Sequence, residues 1–133
     1  MEPTIKKDWI QTLRDNPQRQ GRSHLAAIHT DGVERRCCLG ELCELAVAAG
    51  IIGRREVEHT TALIHHPGLN PVTVVIYGRP GDESTMSLPI AVAEWAGLDS
   101  CDPDIAPELP ASQANDDRRM TFAAIAEAIE DYR

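Results

Sequence analysis

The chain has 133 residues, of which 42% are hydrophobic and 26% are charged, and its formal net charge is −8. This length suits one domain that can bury a core without disulfides or a metal. The composition excludes a disordered or fibrous chain, and the negative charge opposes binding to nucleic-acid phosphates. We therefore predict a single domain, residues 1–133, that does not bind nucleic acid.

Two features of the sequence bear on location. No apolar run reaches the roughly 20 residues that cross a bilayer, and the N-terminal stretch MEPTIKKDWIQTL lacks the apolar centre of a signal peptide. The four cysteines form no regular framework, which fits a compartment where thiols stay reduced. We expect a cytoplasmic protein without membrane association.

The first half of the chain predicts a helix, a hairpin and a second helix. Apolar residues recur at helical spacing between Pro3 and the stop signal Asn16–Pro17. The segments HLAAIHT and VERRCCL flank Asp31–Gly32, a strong signal for a hairpin of two antiparallel strands. The next helix is predicted from the helical spacing of Leu39, Leu42, Cys43, Leu45 and Ala46, and it ends at Gly50, where a C-cap glycine belongs. The clustered cysteines thus lie at a strand-to-helix junction.

The second half predicts one more strand and two more helices. The β-branched run in PVTVVIYG is typical of a buried strand. The stretch LPIAVAEWAGL predicts a short helix with Pro89 at its first position and Gly97 at its end. Thr121 is placed to cap a final amphipathic helix. Residues 53–71 and 99–114, which are polar or rich in proline, are predicted to be loops, and mobility is expected there.

These elements predict an α+β fold in which a small antiparallel sheet of about three strands packs against three or four helices. Helical and strand segments do not alternate as crossover units, which disfavours a doubly wound α/β fold. The residues expected to share the core are Cys37 or Cys38, Leu42, Leu45, Val75, Trp95, Phe122, Ile125 and Ile129.

Four blocks of sequence occur in a fixed order: RQGRSHL, DGVERRCCLGELCELA, LPIAVAEWAGLDSCDP and ANDDRRMTFAAIAEAIE. Together they resemble a family of small uncharacterised proteins of tailed bacteriophages and prophages, particularly those of actinobacteria. The chain departs from that pattern at Arg36, where an aromatic residue is common, and at Asp117–Arg119, where a glycine turn is usual. The resemblance implies a phage accessory protein in the host cytoplasm, and it implies no reaction, ligand or catalytic residue.

The cysteines are the first candidates for chemistry. A thiol at a helix N-terminus beside Arg35 and Arg36 is biased towards thiolate, so Cys37 or Cys38 is a candidate nucleophile with a histidine as base. His29 is the best placed histidine if it lies near Arg36 across the hairpin. Cysteine is also among the most buried residue types, and we favour core packing over a nucleophile.

A metal site is the other possibility for these residues. Cys38 and Cys43 enclose four residues, but no second close pair supplies the remaining ligands of zinc. His65–His66 precedes Pro67–Gly68, which favours a solvated turn over a ligand pair. We predict no metal and no other cofactor.

Five further residues are candidates for ligand binding: Arg19, Arg22, Trp95, Asn115 and Asp116. The two arginines would bind a phosphate or nucleotide if region 53–85 completed a pocket, although no P-loop is present and a solvated loop is the simpler interpretation. The tryptophan is either a core anchor or a hot spot for a partner. The Asn–Asp pair either caps its own turn or forms an acidic mouth for a cation or a basic partner.

Our leading hypothesis is a non-enzymatic phage accessory protein that binds a host protein or a small molecule and modulates it. The second is a cysteine-dependent hydrolase that uses Cys37 or Cys38 with a histidine. The third is a nucleotide-binding protein that sequesters its ligand. The sequence leaves open whether the chain forms a homo-oligomer.

Overall fold

The computed structural model describes residues 1–59 and 72–132, and the predicted α+β fold is confirmed. The helices are α1 (Pro3–Asp15), α2 (Cys38–Ala48), α3 (Ile90–Ala96), α4 (Ala111–Asp116) and α5 (Phe122–Asp131). The strands are β1 (Ala26–Ile28), β2 (Glu34–Arg36), β3 (Gly53–His59), β4 (Val72–Gly78), β5 (Asp104–Ala106) and β6 (Leu109–Pro110). All the helices and strands predicted from the sequence are therefore present.

Strands β1 to β4 form one antiparallel sheet in the order β2-β1-β4-β3. The predicted hairpin joins β1 to β2, with Ala26 opposite Arg36 and Ile28 opposite Glu34. Strand β4 pairs with β1 on one side and with β3 on the other. Strands β5 and β6 pair with each other in a separate two-stranded sheet.

Strand β3 corrects the prediction of a loop over residues 53–71. Its sequence, GRREVEH, has a single β-branched residue, so intrinsic strand propensity is low. Every residue of β3 nevertheless has a partner on β4, from Gly53 opposite Gly78 to His59 opposite Val72. Pairing with a strongly predicted strand thus overrides local preference. The rest of the predicted loop, residues 60–71, lies outside the described residues.

The prediction of a loop over residues 99–114 was also wrong. This segment contains β5, β6 and most of α4. Its three prolines stand where a missing N–H is tolerated: Pro103 precedes β5, Pro107 lies between the strands, and Pro110 precedes the first residue of α4. The prolines therefore mark the boundaries of short elements.

The core lies between the sheet and the helices, and most residues expected there are buried. They are Cys37, Cys38, Leu42, Val75, Phe122, Ile125 and Ile129. Leu45 and Trp95 are only partly buried against this core. The anchoring tryptophan is instead Trp9 on α1, which is 1% exposed and donates its indole N–H to the carbonyl of Cys38 at 2.8 Å. A buried ring with a satisfied N–H thus holds α1 against α2.

Two glycines define the position and the end of α2. A Cβ atom on Gly40 would lie 1.8 Å from the carbonyl oxygen of Leu25, so no other residue fits where α2 crosses the chain beside β1. Gly50 follows the helix with a φ of +76° and donates its N–H to the carbonyl of Val47 at 3.0 Å. This is the C-terminal stop predicted from the sequence.

Candidate functional site

Cys37 and Cys38 are buried at the N-terminus of α2. Burial raises the pKa of the Cys37 thiol to about 12 and raises the pKa of the Cys38 thiol well above its usual range. The Cys38 thiol donates to the carbonyl of Ala111 at 3.6 Å. Because the thiolate is the nucleophilic form, these protonated thiols are suited to packing.

The hairpin places His29 away from this helix terminus. Arg36, which directly precedes Cys37, is opposite Ala26. His29 is exposed at the turn, where its backbone N–H donates to the carbonyl of Val33 at 3.2 Å. The condition that made His29 the best placed base, its proximity to Arg36 across the hairpin, is therefore not met, because the register sets the two residues at opposite ends of the strand pair.

Within residues 1–59 and 72–132, no group of three His, Cys, Asp or Glu side chains is arranged to hold a metal ion. Cys37, Cys38 and Cys43 are all buried free thiols. The pair His65–His66 lies outside the described part of the chain.

Asn115 is the centre of a buried hydrogen-bond network. Its Oδ1 accepts from the backbone N–H of Cys38 at 3.2 Å and from the Gln20 side chain at 3.0 Å. Its Nδ2 donates to the carbonyl of Gly21 at 2.9 Å and to Asp116 at 2.8 Å. The amide thereby satisfies an N–H that the start of α2 leaves open. Asn115 joins three segments rather than capping its own turn.

The other residues singled out from the sequence do not share one pocket. Asp116 accepts from the backbone N–H of Ser23 at 3.1 Å. Arg19 lies 3.5 Å from the buried carboxylate of Glu41, and Arg22 is exposed. Neither arginine borders the shallow pocket of about 290 Å³ that β3 and the end of β4 form among the described residues. Trp95 is half-buried on α3.

A closed ring of charges, which the sequence analysis did not identify, links the sheet to α2. Arg36 contacts Glu34 at 2.5 Å, Glu34 contacts Arg54 at 2.5 Å, and Arg54 contacts Glu44 at 2.8 Å. Glu44 contacts Arg36 at 3.7 Å, which closes the ring. The Glu44 carboxylate also accepts a hydrogen bond from the hydroxyl of buried Tyr77 at 2.6 Å. These charges compensate one another, so the ring fastens the sheet to the helix.

A cavity of about 600 Å³ lies between α1, α5 and residues 97–105. Trp9, Ile105 and Ile129 border it, but each is almost fully buried, so most of the surface open to a ligand comes from other residues. Known ligand pockets have volumes of roughly 300 to 1,000 Å³ and combine an apolar lining with a few polar groups. The cavity is therefore large enough for a small organic molecule.

The polar groups around this cavity differ in their availability. Asp102 accepts from the backbone N–H of Ser112 at 2.9 Å and from the Ser112 hydroxyl, so its carboxylate is occupied at the start of α4. Asp99 and Asp104 are exposed, and neither carboxylate has a hydrogen bond or ion pair within the described residues. Lys6 also borders the cavity and donates to the carbonyl of Tyr132 at 3.0 Å. Two aspartates are thus free to contact a ligand.

The model of one protein family, described as Domain of unknown function (DUF8296), matches residues 1–133. The chain belongs to this family. No curated protein and no solved structure matches the chain. In the described part of this DUF8296 chain, no helix has the length and apolar character needed to cross a membrane.

The cavity of this DUF8296 chain was not predicted from the sequence. Its lining comes from both ends of the sequence and from residues 97–105, which were predicted to be a plain loop. Trp9 lies on the apolar face predicted for the first helix, and Asp99 and Asp104 lie in the segment predicted to be a loop. The acidic residues of this segment were the available signal, but only the packed chain places them beside α1 and α5.

Proposed function

We propose that the protein is a phage-encoded accessory protein that binds a small molecule in the cavity between α1, α5 and residues 97–105. The cavity itself carries this proposal, because its volume of about 600 Å³ lies within the range of known ligand pockets. The resemblance of four sequence blocks to phage proteins supports the phage origin and action in the host cytoplasm. Among the partners predicted from the sequence, a recessed cavity favours a small molecule over a host protein.

The protein is proposed to act by binding and not by catalysis. Cys37 and Cys38 are buried with raised pKa values, and the hydrogen-bonding atoms of Asn115 are used within the fold. These three candidate residues therefore serve the packing and hydrogen bonding of the fold. The carboxylates of Asp99 and Asp104 beside the cavity remain available for recognition.

Blocking the cavity tests the proposal. Ser100 is exposed and borders the cavity, whereas Thr30 is exposed at the hairpin turn, so Ser100→Trp and Thr30→Trp add similar bulk at different places. We expect ligand-observed NMR against a library of cationic, neutral and anionic fragments to find compounds that bind the wild type and T30W but not S100W. Far-UV circular dichroism checks that both variants are folded.

The same variants give a second measurement. Native mass spectrometry of protein purified gently from host-like cytosol should show a bound small molecule that S100W loses and T30W retains. A ligand at 100 times its Kd would also add about 2.7 kcal/mol to the free energy of unfolding. Fragments that bind S100W as well as the wild type, or a library without any binder, would show that the cavity is not a binding site.

A further inference from the structure

The two edges of the four-stranded sheet differ. At the β2 edge, Gln20 bridges to Arg36, and the N–H of Gly21 donates to the Arg36 carbonyl at 2.7 Å. At the other edge, the seven-residue strand β3 pairs with β4 and with no other strand among the described residues. Unpaired N–H and C=O groups along an edge strand can accept a further strand. The fold therefore leaves one long edge open to pairing.

The hydrogen bonds of Tyr77 show which backbone groups of β3 face this open edge. Tyr77 is opposite Arg54, but its N–H and its carbonyl are bonded to Ser84, at 3.0 and 2.8 Å, on the other side of β4. Arg54 and Tyr77 thus exchange no backbone hydrogen bonds, and such pairs alternate with bonded pairs along an antiparallel ladder. The N–H and C=O groups of Arg54, Glu56 and Glu58 therefore point away from β4.

The side chains of these same residues give the open edge an acidic character. They share one face of β3, because side chains alternate along a strand. Arg54 is half-buried, and its guanidinium is held by Glu34 and Glu44. Glu56 is 54% exposed and lies 3.6 Å from Arg54, and Glu58 is exposed as well. Two carboxylates thus stand at alternate positions beside the outward-facing backbone groups, in a chain whose net charge of −8 attracts basic partners.

The same charges oppose pairing of β3 with a second copy of itself. In a two-fold pair of these strands, outward-facing residues must meet outward-facing residues, so the axis passes through a residue. With the axis at Glu56, this carboxylate faces its own copy, and with the axis at Arg55, that guanidinium does. With the axis at Val57, Glu56 faces Glu58 of the second copy. Like charges directly opposite destabilise a sheet, so the edge disfavours self-association.

We propose that the open edge of β3 binds an extended segment of a basic protein, which adds a further antiparallel strand to the sheet. Lysine or arginine side chains at alternate positions of that segment meet Glu56 and Glu58, and an apolar residue between them packs on Val57, which is 40% exposed. This surface is separate from the cavity, whose lining includes no residue of β3. The inference thus goes beyond the proposed function.

Three short peptides test the charge and the strand pairing separately. The probe is acetyl-Thr-Lys-Val-Lys-Thr-Thr-amide, which in an antiparallel register sets its lysines opposite Glu58 and Glu56 and its valine opposite Val57. One control peptide replaces both lysines with glutamate. The other carries a methyl group on the backbone nitrogen of the lysine opposite Glu56, so it keeps the charge and loses an N–H donor.

Titrations followed by two-dimensional ¹H–¹⁵N NMR measure the binding of all three peptides. We expect the probe to cause saturable shifts of the backbone amides of Arg54, Glu56 and Glu58. We expect each control peptide to bind roughly five-fold more weakly or less, because one loses its ion pairs and the other a backbone hydrogen bond. Added salt should weaken binding of the probe, because salt screens exposed charges.

Variants of the protein locate the peptide. Glu56→Gln and Glu58→Gln should each weaken binding of the probe roughly two- to five-fold, the size expected for exposed ion pairs. Glu94→Gln is the matched control, since Glu94 is exposed on α3 and its loss changes the net charge equally. Ser100→Trp should bind the probe like the wild type, because Ser100 borders the cavity and not β3.

The outcomes decide between this surface and its alternatives. The proposal is wrong if the probe does not bind, if either control peptide binds as tightly as the probe, or if the double variant E56Q/E58Q binds it like the wild type. Loss of probe binding in S100W would place the peptide in the cavity instead. Shifts of the β3 amides with protein concentration alone would show that a second copy occupies the edge. S100W-sensitive fragment binding would leave the proposed function intact in each case.

Discussion

At position 115, one amide side chain serves four hydrogen-bonding groups in the interior. It connects α4 to the N-terminus of α2 and to the segment after α1 through Cys38, Gln20 and Gly21. Buried polar groups are costly when they lose their partners, because water cannot replace the lost bonds. Asn115 is therefore a structural residue whose importance comes from its location.

Replacing this side chain gives the first prediction at the scale of the residue. Asn115→Ala should lower the free energy of unfolding by about 2 to 4 kcal/mol, because it leaves the buried N–H of Cys38 without its partner and removes three partly buried hydrogen bonds. Asn16→Ala is the matched control, since Asn16 is half-buried and bonds only within its own helix end. Urea denaturation monitored by circular dichroism measures both. Equal losses for the two variants would contradict the assigned role of the network.

At the scale of the element, α3 depends on a residue outside its own sequence. Pro89 is the N-cap rather than the first helical residue expected from the sequence, and its side chain cannot accept a hydrogen bond. Asp82 from the turn after β4 supplies the cap instead. Its two oxygens accept from the backbone N–H groups of Ile90 at 2.8 Å and Ala91 at 3.0 Å. The helix start is thus tied to the end of the sheet.

Removing that distant cap provides the second prediction. Asp82→Ala should destabilise the fold by about 1 kcal/mol, the usual cost of losing an N-cap side chain. Asp117→Ala changes an exposed aspartate with no side-chain partner among the described residues, and it should cost less than about 0.5 kcal/mol. Chemical denaturation compares the two. A D82A midpoint that matches the D117A midpoint would show that the cap contributes nothing.

At the scale of the whole molecule, two glutamates at the contact between the sheet and the helices, half-buried Glu34 and buried Glu41, link stability to pH in opposite ways. Burial raises the pKa of Glu34, but the hydrogen bond from Arg54 and the charges of Arg36 and Arg54 outweigh it and set the pKa below 4.5. Burial raises the pKa of Glu41 above 4.5 and outweighs the opposing charges of Arg36 and Arg19. The two side chains therefore titrate on opposite sides of the ordinary glutamate value.

The signs of these shifts give the third prediction. As the pH falls below 4.5, Glu34 becomes protonated in the unfolded state before it does in the folded state. Acidification therefore favours the unfolded state, and the free energy of unfolding falls by at most about 1.4 kcal/mol per pH unit. Above pH 4.5 the folded state holds the Glu41 proton more tightly, so stability rises as pH falls towards that value. Glu34→Gln should flatten the limb below pH 4.5, and Glu41→Gln should remove the slope just above it.

Urea denaturation of both variants from pH 3 to pH 7 measures these limbs. Each variant is the control for the other, because the two substitutions are chemically identical and affect different pH windows. If E34Q and E41Q changed the pH dependence in the same window, the assignment of the two shifts would be wrong. A uniform loss of stability at all pH values would reflect lost contacts and would contradict the linkage.

The sequence by itself determined the elements whose signals are local. The hairpin at Asp31–Gly32, the stop of α2 at Gly50 and the cap of α5 at Thr121 depend on residues within a few positions of one another. Helical spacing likewise identified the face of α1 and most of the core. These features could be predicted because backbone conformation and side-chain periodicity are set over short stretches of chain.

Tertiary structure decided the features that join distant segments. Strand β3 exists because β4 pairs with it along its length. Asp82 caps a helix from another loop, Asn115 meets three segments, and the cavity takes its lining from both ends of the chain and from residues 97–105. Hydrogen bonds, ion pairs and cavities depend on distances of a few ångströms between atoms. Those distances are fixed only when the whole chain is packed.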